Sequence, residues 1–178
     1  MKRDGAIRLF KYLLIVIAIL SAGFMITHFL VQRTVVRGSS MEPALSDRDN
    51  LLIYRAAYLN SPPKRFDIVV FTDKRVSGSY YIKRVIGLPG ETVEISDQGY
   101  IFINGKRLSD KYGRGRITDP GQAAYGVRLK SGQYFVLGDN RNHSEDSRFA
   151  DIGMVGASQI IGKGVFRFFP FDRFGKVR

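Results

Sequence analysis

Twenty consecutive residues, Tyr12 to Val31, contain no Asp, Glu, Lys or Arg. At about 1.5 Å rise per residue they make roughly 30 Å of helix, the thickness of a bilayer hydrocarbon core. A chain carrying such a segment must place it in lipid or cut it off. Cleaved secretory leaders have apolar regions of only about 7 to 15 residues that end in a small-x-small site. Here the flank reads Gln32-Arg33-Thr34-Val35-Val36-Arg37, so the segment reads as a retained anchor. Lys2, Arg3, Arg8 and Lys11 precede it against Asp4 alone, a bias that favours a cytoplasmic N-terminus. The expected organisation is a cytoplasmic N-terminus over 1–11, a transmembrane helix over 12–31 and an extracytoplasmic domain over 32–178. His28, near the outer end of the span, reads as an interfacial residue.

The formal net charge is +12, of which +3 belongs to the first 32 residues and +9 to the remainder. The Lys and Arg of residues 33–178 are scattered between short apolar runs. They form neither a basic stripe nor an aromatic-basic platform, which argues against nucleic acid as partner. A basic domain on a membrane stalk fits better against anionic phospholipid headgroups, where each Lys or Arg contributes roughly 1 kcal/mol. Cysteine is absent, which excludes disulfide scaffolds, thiolate metal sites and a Cys nucleophile. Apolar content of 44% is enough for one packed domain.

After the span, apolar or alternating runs recur at 51–54, 66–72, 80–86, 92–95, 100–103, 134–137 and 164–169. They read as strands, separated by Leu88-Pro89-Gly90, Asp97-Gln98-Gly99 and Asn104-Gly105, the last suited to a type I′ hairpin. No long stretch keeps a helical period. The fold class predicted is mainly β: an antiparallel β-sheet domain preceded by one transmembrane helix. Ser109 to Gly132, with five Gly and one Pro, reads as a surface excursion.

Three polar segments could carry chemistry. In Gly38-Ser39-Ser40-Met41-Glu42-Pro43 the glycine and proline fix a tight turn that can hold a hydroxyl away from the backbone. Ser39 and Glu42 are also spaced as a capping box at a helix start. A serine needs a base to become a nucleophile. His143, with Asp139 or Asp146 as orienting carboxylate, is one candidate. The other is a lysine kept neutral by burial, since desolvation lowers an amine pKa by up to about 3 to 5 units. Lys83 suits that role, because strand alternation puts Tyr81 and Val85 on its face while Arg84 points to the other. The third segment, Gly138 to Arg148, is no calcium loop, since Arg141 and His143 interrupt its carboxylates and the central Gly is missing. It reads either as an Asx-rich turn or as hydroxyls and ion pairs that hold a buried lysine in place.

Taken together and in order, these segments resemble the type I signal peptidases (leader peptidases), the membrane-bound Ser-Lys serine proteases of protein export. The matching stretches are 38–43, Phe66-Asp67-Ile68-Val69-Val70-Phe71, Tyr81 through Glu91, and Gly138-Asp139-Asn140-Arg141 through Ser144, Asp146, Ser147 and Arg148. The short length and single span are similar to the Gram-positive-type members. The resemblance implies Ser40 as nucleophile and Lys83 as general base. It implies Ser144 in a hydrogen bond at the lysine amine, and Asp146–Arg148 and Asp139–Arg84 as buttressing pairs. Gly38 stands where some members carry an oxyanion-binding serine, and Ala44 where Thr is usual. Preprotein signal peptides would be the substrate, bound as an added strand and cut after small residues. Met41, Leu45, Tyr81 and Ile82 would line the pocket for the residue just before the cut, and Val36, Leu51 and Val70 the pocket two positions further back. The enzyme would sit in the plasma membrane, docked on phospholipid and needing no metal or cofactor, with its oligomeric state left open. A Ser-His-Asp hydrolase on the same anchor and a non-catalytic tethered binding domain are the rival readings.

Overall fold

The computed structural model describes residues 2–25, 30–72 and 78–177. Helix α1 covers Lys2–Met25. Its Ile7–Met25 stretch is long and apolar enough to cross a membrane, and no part of that stretch is buried against protein. The helix therefore begins before the expected span. Val31, placed at the end of that span, is already the first residue of a strand; the β-branched Val31, Thr34, Val35 and Val36 favour extended backbone over helix. His28 lies outside the described residues.

Among the described residues twelve antiparallel strands follow, in chain order β1 (Val31–Val35), β2 (Asn50–Tyr54), β3 (Ile68–Thr72), β4 (Tyr80–Gly87), β5 (Thr92–Ile95), β6 (Ile101–Ile103), β7 (Lys106–Arg107), β8 (Val127–Arg128), β9 (Gln133–Leu137), β10 (Val155–Gly156), β11 (Ile160–Phe169) and β12 (Gly175–Lys176). The larger sheet has the order β1-β2-β11-β3-β4-β9-β10, with β12 also on β11, and the smaller one β7-β6-β5-β8. The predicted type I′ hairpin is present: Asn104 and Gly105 have φ of 50° and 75° between β6 and β7, the positive values that such a turn demands.

The two sheets share a core. Ile86, Phe135 and Leu137 of the larger sheet pack with Val93, Ile95, Ile101 and Ile103 of the smaller one. Ile117, Ala123 and Leu129 join the same cluster. The segment 109–132, expected as a surface excursion, is thus packed into the fold: its turns contain a 3-10 helix at Gly121–Tyr125 and β8. Its apolar residues are too widely spaced for either the helical or the strand period, which hides them from pattern reading.

A second cluster of Val36, Met41, Leu45, Leu51 and Ile68 lies beneath the turn that follows β1. Met41 and Leu45 are essentially unexposed, and each such burial stabilises by roughly 1.5–3 kcal/mol. That anchorage fixes the residue next to Met41, which is Ser40.

Candidate active site

Three elements converge on Ser40. The turn 38–45 carries it: the Glu42 N–H donates to the Ser39 carbonyl at 3.1 Å and the Leu45 N–H to that of Met41 at 2.9 Å. No regular helix begins there, so Ser39 and Glu42 do not act as a capping box. Gly38 enters the turn at φ +83°, the left-handed region that glycine tolerates best, and its N–H donates to Asp47 Oδ1 at 2.8 Å. Among the described residues, nothing accepts the Ser40 N–H.

Strand β4 brings the second group. Lys83 sits opposite Val69 of β3, is 3% exposed, and places Nζ 2.7 Å from Ser40 Oγ. Its nitrogen lies 5.7 Å from the centre of the Tyr81 ring, the face-mate that alternation predicts, and Val85 is buried in the cluster against which Tyr81 packs. Burial pushes the Lys83 amine down from its ordinary 10.5 to about 8. The carboxylates of Asp146 and Glu145 oppose this shift and the Arg148 charge adds to it. An amine of that strength is substantially neutral near pH 8 and can accept the proton of a bonded hydroxyl.

The third element is the segment after β9. Gly138 passes so close to the pair that a Cβ there would lie 2.2 Å from Ser144 Oγ and 2.5 Å from the Ser40 carbonyl oxygen. Only glycine fits. Asn140 then clamps the serine turn, with its N–H donating to the Ser40 carbonyl at 3.0 Å and its Nδ2 to the Ser39 carbonyl at 3.2 Å. Sequence reasoning gave Asn140 no role of its own; nothing in its type distinguishes a clamp from a turn asparagine.

Two buried ion pairs hold this segment. Asp139 grips Arg84 in a fork, Oδ1 to Nε at 2.7 Å and Oδ2 to Nη2 at 2.6 Å, with both residues fully unexposed. Burial raises the Asp139 carboxyl above its usual range, against the pull of Arg84. Arg84 also donates to the Phe66 carbonyl at 2.8 Å and lies 3.8 Å from the Tyr112 ring centre. Asp146 pairs with Arg148 at 2.8 Å and accepts the Gly138 N–H at 3.1 Å. Both expected buttresses are therefore in contact. Ser144 differs from its expected place: its Oγ donates to the Glu145 carbonyl at 3.5 Å instead of bonding the lysine amine, which is engaged with Ser40.

An open groove of about 610 Å³ runs over the pair, lined by 34–41 on one side and 78–83 on the other, with His143 and Glu145 at its border. Strand β9 ends opposite Arg84, so the stretch Tyr80–Lys83 pairs with β3 on one side and faces the groove on the other. Val36, Met41, Tyr81 and Ile82 line this groove. Leu45, Leu51 and Val70 do not: they are fully buried, Leu45 and Leu51 beneath the serine turn and Val70 opposite Ile82 and Gly162 within the larger sheet. Their expected pocket role is corrected to a core role.

His143 is exposed at the groove's border, and its N–H donates to the Asn140 carbonyl at 2.9 Å. The carboxylates that would orient its ring are committed to Arg84 and Arg148. Among the described residues no hydrogen bond joins the His143 ring to Ser40, Asp139 or Asp146.

A family model described as "Signal peptidase, peptidase S26" matches residues 7–169. A signal peptidase I of Bacillus licheniformis is 35% identical over 175 residues, covering 94% of this chain and 92% of the relative. Signal peptidase I T of Bacillus subtilis is 39% identical over 165 residues, covering 89% and 83%. A solved signal peptidase I from Enterococcus faecalis is 36% identical and aligns with a TM-score of 0.46, covering 58% of this chain and 97% of that one.

Proposed function

Because this chain belongs to the signal peptidase family, peptidase S26, we propose that it is a membrane-bound serine endopeptidase that removes signal peptides from exported preproteins through Ser40 and Lys83. The observation that carries this reading is the 2.7 Å contact between the buried Lys83 amine and the Ser40 hydroxyl at the floor of an open groove.

Neutral Lys83 takes the Ser40 proton as Oγ attacks the scissile carbonyl, and the lysine then gives that proton to the departing amine. Water, deprotonated by the same amine, releases the acyl group and regenerates the serine. The developing oxyanion would be met by the Ser40 N–H, which has no other acceptor among the described residues; one such donor is worth about 2.7–4 kcal/mol in other hydrolases. Gly38 contributes its left-handed turn and no hydroxyl. Asn140 and Gly138 position the serine, and the Asp139–Arg84 and Asp146–Arg148 pairs hold the segment that carries them.

The substrate would lie as an extended strand between 34–41 and 78–83. Backbone pairing of that kind accepts varied sequences while side chains enter alternate pockets. Val36, Met41, Tyr81 and Ile82, which line the groove, would receive small side chains before the cut. Helix α1 would hold the enzyme in the plasma membrane with its N-terminus cytoplasmic and the β domain outside, its basic surface against phospholipid. Sharing that interface with a membrane-inserted preprotein raises their effective concentration.

The test is full-length protein in detergent, incubated with a preprotein carrying Ala at the first and third positions before the cut, with products identified by intact mass. One cut after Ala is expected, lost in Ser40→Ala and retained in His143→Ala. Cleavage that persists in Ser40→Ala, or disappears in His143→Ala alone, would overturn the assignment.

A further inference from the structure

A second cavity, about 430 Å³ and sharing no residue with the groove, is bounded by β6, the residues after β7 and Arg141. Among the described residues three arginines line it, Arg107, Arg116 and Arg141, against the single carboxylate of Asp110. Arg107 and Arg116 both stack on the Tyr100 ring, their guanidinium carbons 3.6 Å and 4.6 Å from its centre. One aromatic ring thus contacts both cations. Arg141 is 2% exposed. Its Nε donates to the Gly138 carbonyl at 2.9 Å and its Nη1 pairs with Asp110 at 2.5 Å. Its Nη2, equally buried, has no acceptor among the described residues. A buried N–H on a charged group left without an acceptor is destabilising and uncommon in native folds.

We propose that this cavity binds a phosphate group, held by Arg107, Arg116 and the unpartnered Nη2 of Arg141. Three arginines against one aspartate leave two positive charges in excess. Inorganic phosphate, carrying about −1.5 to −2 at neutral pH, neutralises them, a phosphodiester headgroup neutralises one of them, and the oxygens of either accept from guanidinium forks in the geometry that arginine favours. A carboxylate supplies less charge and fewer acceptors than inorganic phosphate. The site is coupled to the serine turn through one short segment. Arg141 bonds Gly138, Asn140 clamps Ser39 and Ser40, and Asn142 receives the Thr118 N–H and donates to the Arg116 carbonyl. Phosphate on these arginines would stiffen the segment that positions the nucleophile. The phosphate could be free or part of a lipid headgroup.

Calorimetric titration of the full-length protein in nonionic detergent at constant ionic strength separates these sources, with inorganic phosphate and monomeric dihexanoyl phosphatidylglycerol as probes. Saturable binding of at least one probe is expected, weakened about tenfold or more in the double variant Arg107→Gln/Arg116→Gln, since each charge-assisted contact is worth that much. Lys130→Gln, which removes an exposed lysine outside the cavity, should leave it unchanged. Tighter binding of phosphatidylglycerol identifies a lipid headgroup; tighter binding of inorganic phosphate identifies a free anion. Preprotein cleavage by the double variant in phosphate-free buffer should match the parent, which shows that it is folded. No saturable heat with either probe, as expected if a water alone serves Nη2, or equal affinity in the double variant, would overturn the proposal.

Discussion

Lys83→Met should lower kcat/KM for a preprotein at pH 8 by about 10⁴-fold or more and should make the protein more stable. The loss follows from the two proton transfers proposed for the amine, from Ser40 and to the leaving group, each contributing about 10²–10⁴-fold. The gain follows from burial. The amine titrates near 8 in the fold against 10.5 unperturbed, so the unfolded chain holds the proton more tightly. Below pH 8 both states are protonated and the native state carries the full penalty, about 3 kcal/mol at 1.36 kcal/mol per unit. Stability therefore rises with pH between 8 and 10.5 in the parent. Methionine fills similar space without charge, so its variant should lack that rise and melt at least about 5 °C higher at pH 7, given roughly 2–4 °C per kcal/mol for a domain of this size. Thermal denaturation at pH 7 and pH 10 checks both halves. A purely structural lysine would show the stability change without the kinetic loss.

Asp139→Ala should destabilise the β domain by about 3–5 kcal/mol, because it strips a fully buried guanidinium of its two-point carboxylate. Replacing Arg84 as well, in Asp139→Ala/Arg84→Met, should restore a large part of the loss, since the cost lies in the uncompensated charge more than in the absent bridge. Denaturant midpoints of the parent, the two single variants and the double variant measure the coupling directly. Additive losses would show that the pair does not act as a unit. Activity should fall along with stability in Asp139→Ala, as the segment bearing Gly138 and Asn140 loses its anchorage beside Ser40.

What could be read in advance divides along the range of the interactions. Alternation within β4 predicted the face shared by Lys83, Tyr81 and Val85, and the Asn104-Gly105 pair predicted its hairpin; both depend on neighbours in sequence. The meeting of Ser40, Lys83 and Gly138 depends on strand pairings over 43 residues and more. Spacing alone could not choose between Lys83 and His143, and only the resemblance to signal peptidases did. Apolar type did not tell pocket from core either. Met41 and Leu45 lie four residues apart on one turn, yet Met41 reaches the groove and Leu45 only the cluster beneath it. Asn140 was hidden for the opposite reason, being one polar residue among many in a segment where all are polar.

The central claim is that a buried, neutral lysine accepts the proton of Ser40. The pH dependence of kcat/KM tests it most directly, because that parameter reports the essential groups of the free enzyme. The account predicts a rate that rises with pH through an apparent pKa of about 8, set by burial against the pull of Asp146 and Glu145, and unchanged in His143→Ala. A rate that is flat between pH 6 and 9, or an acidic limb that vanishes with His143, would contradict it.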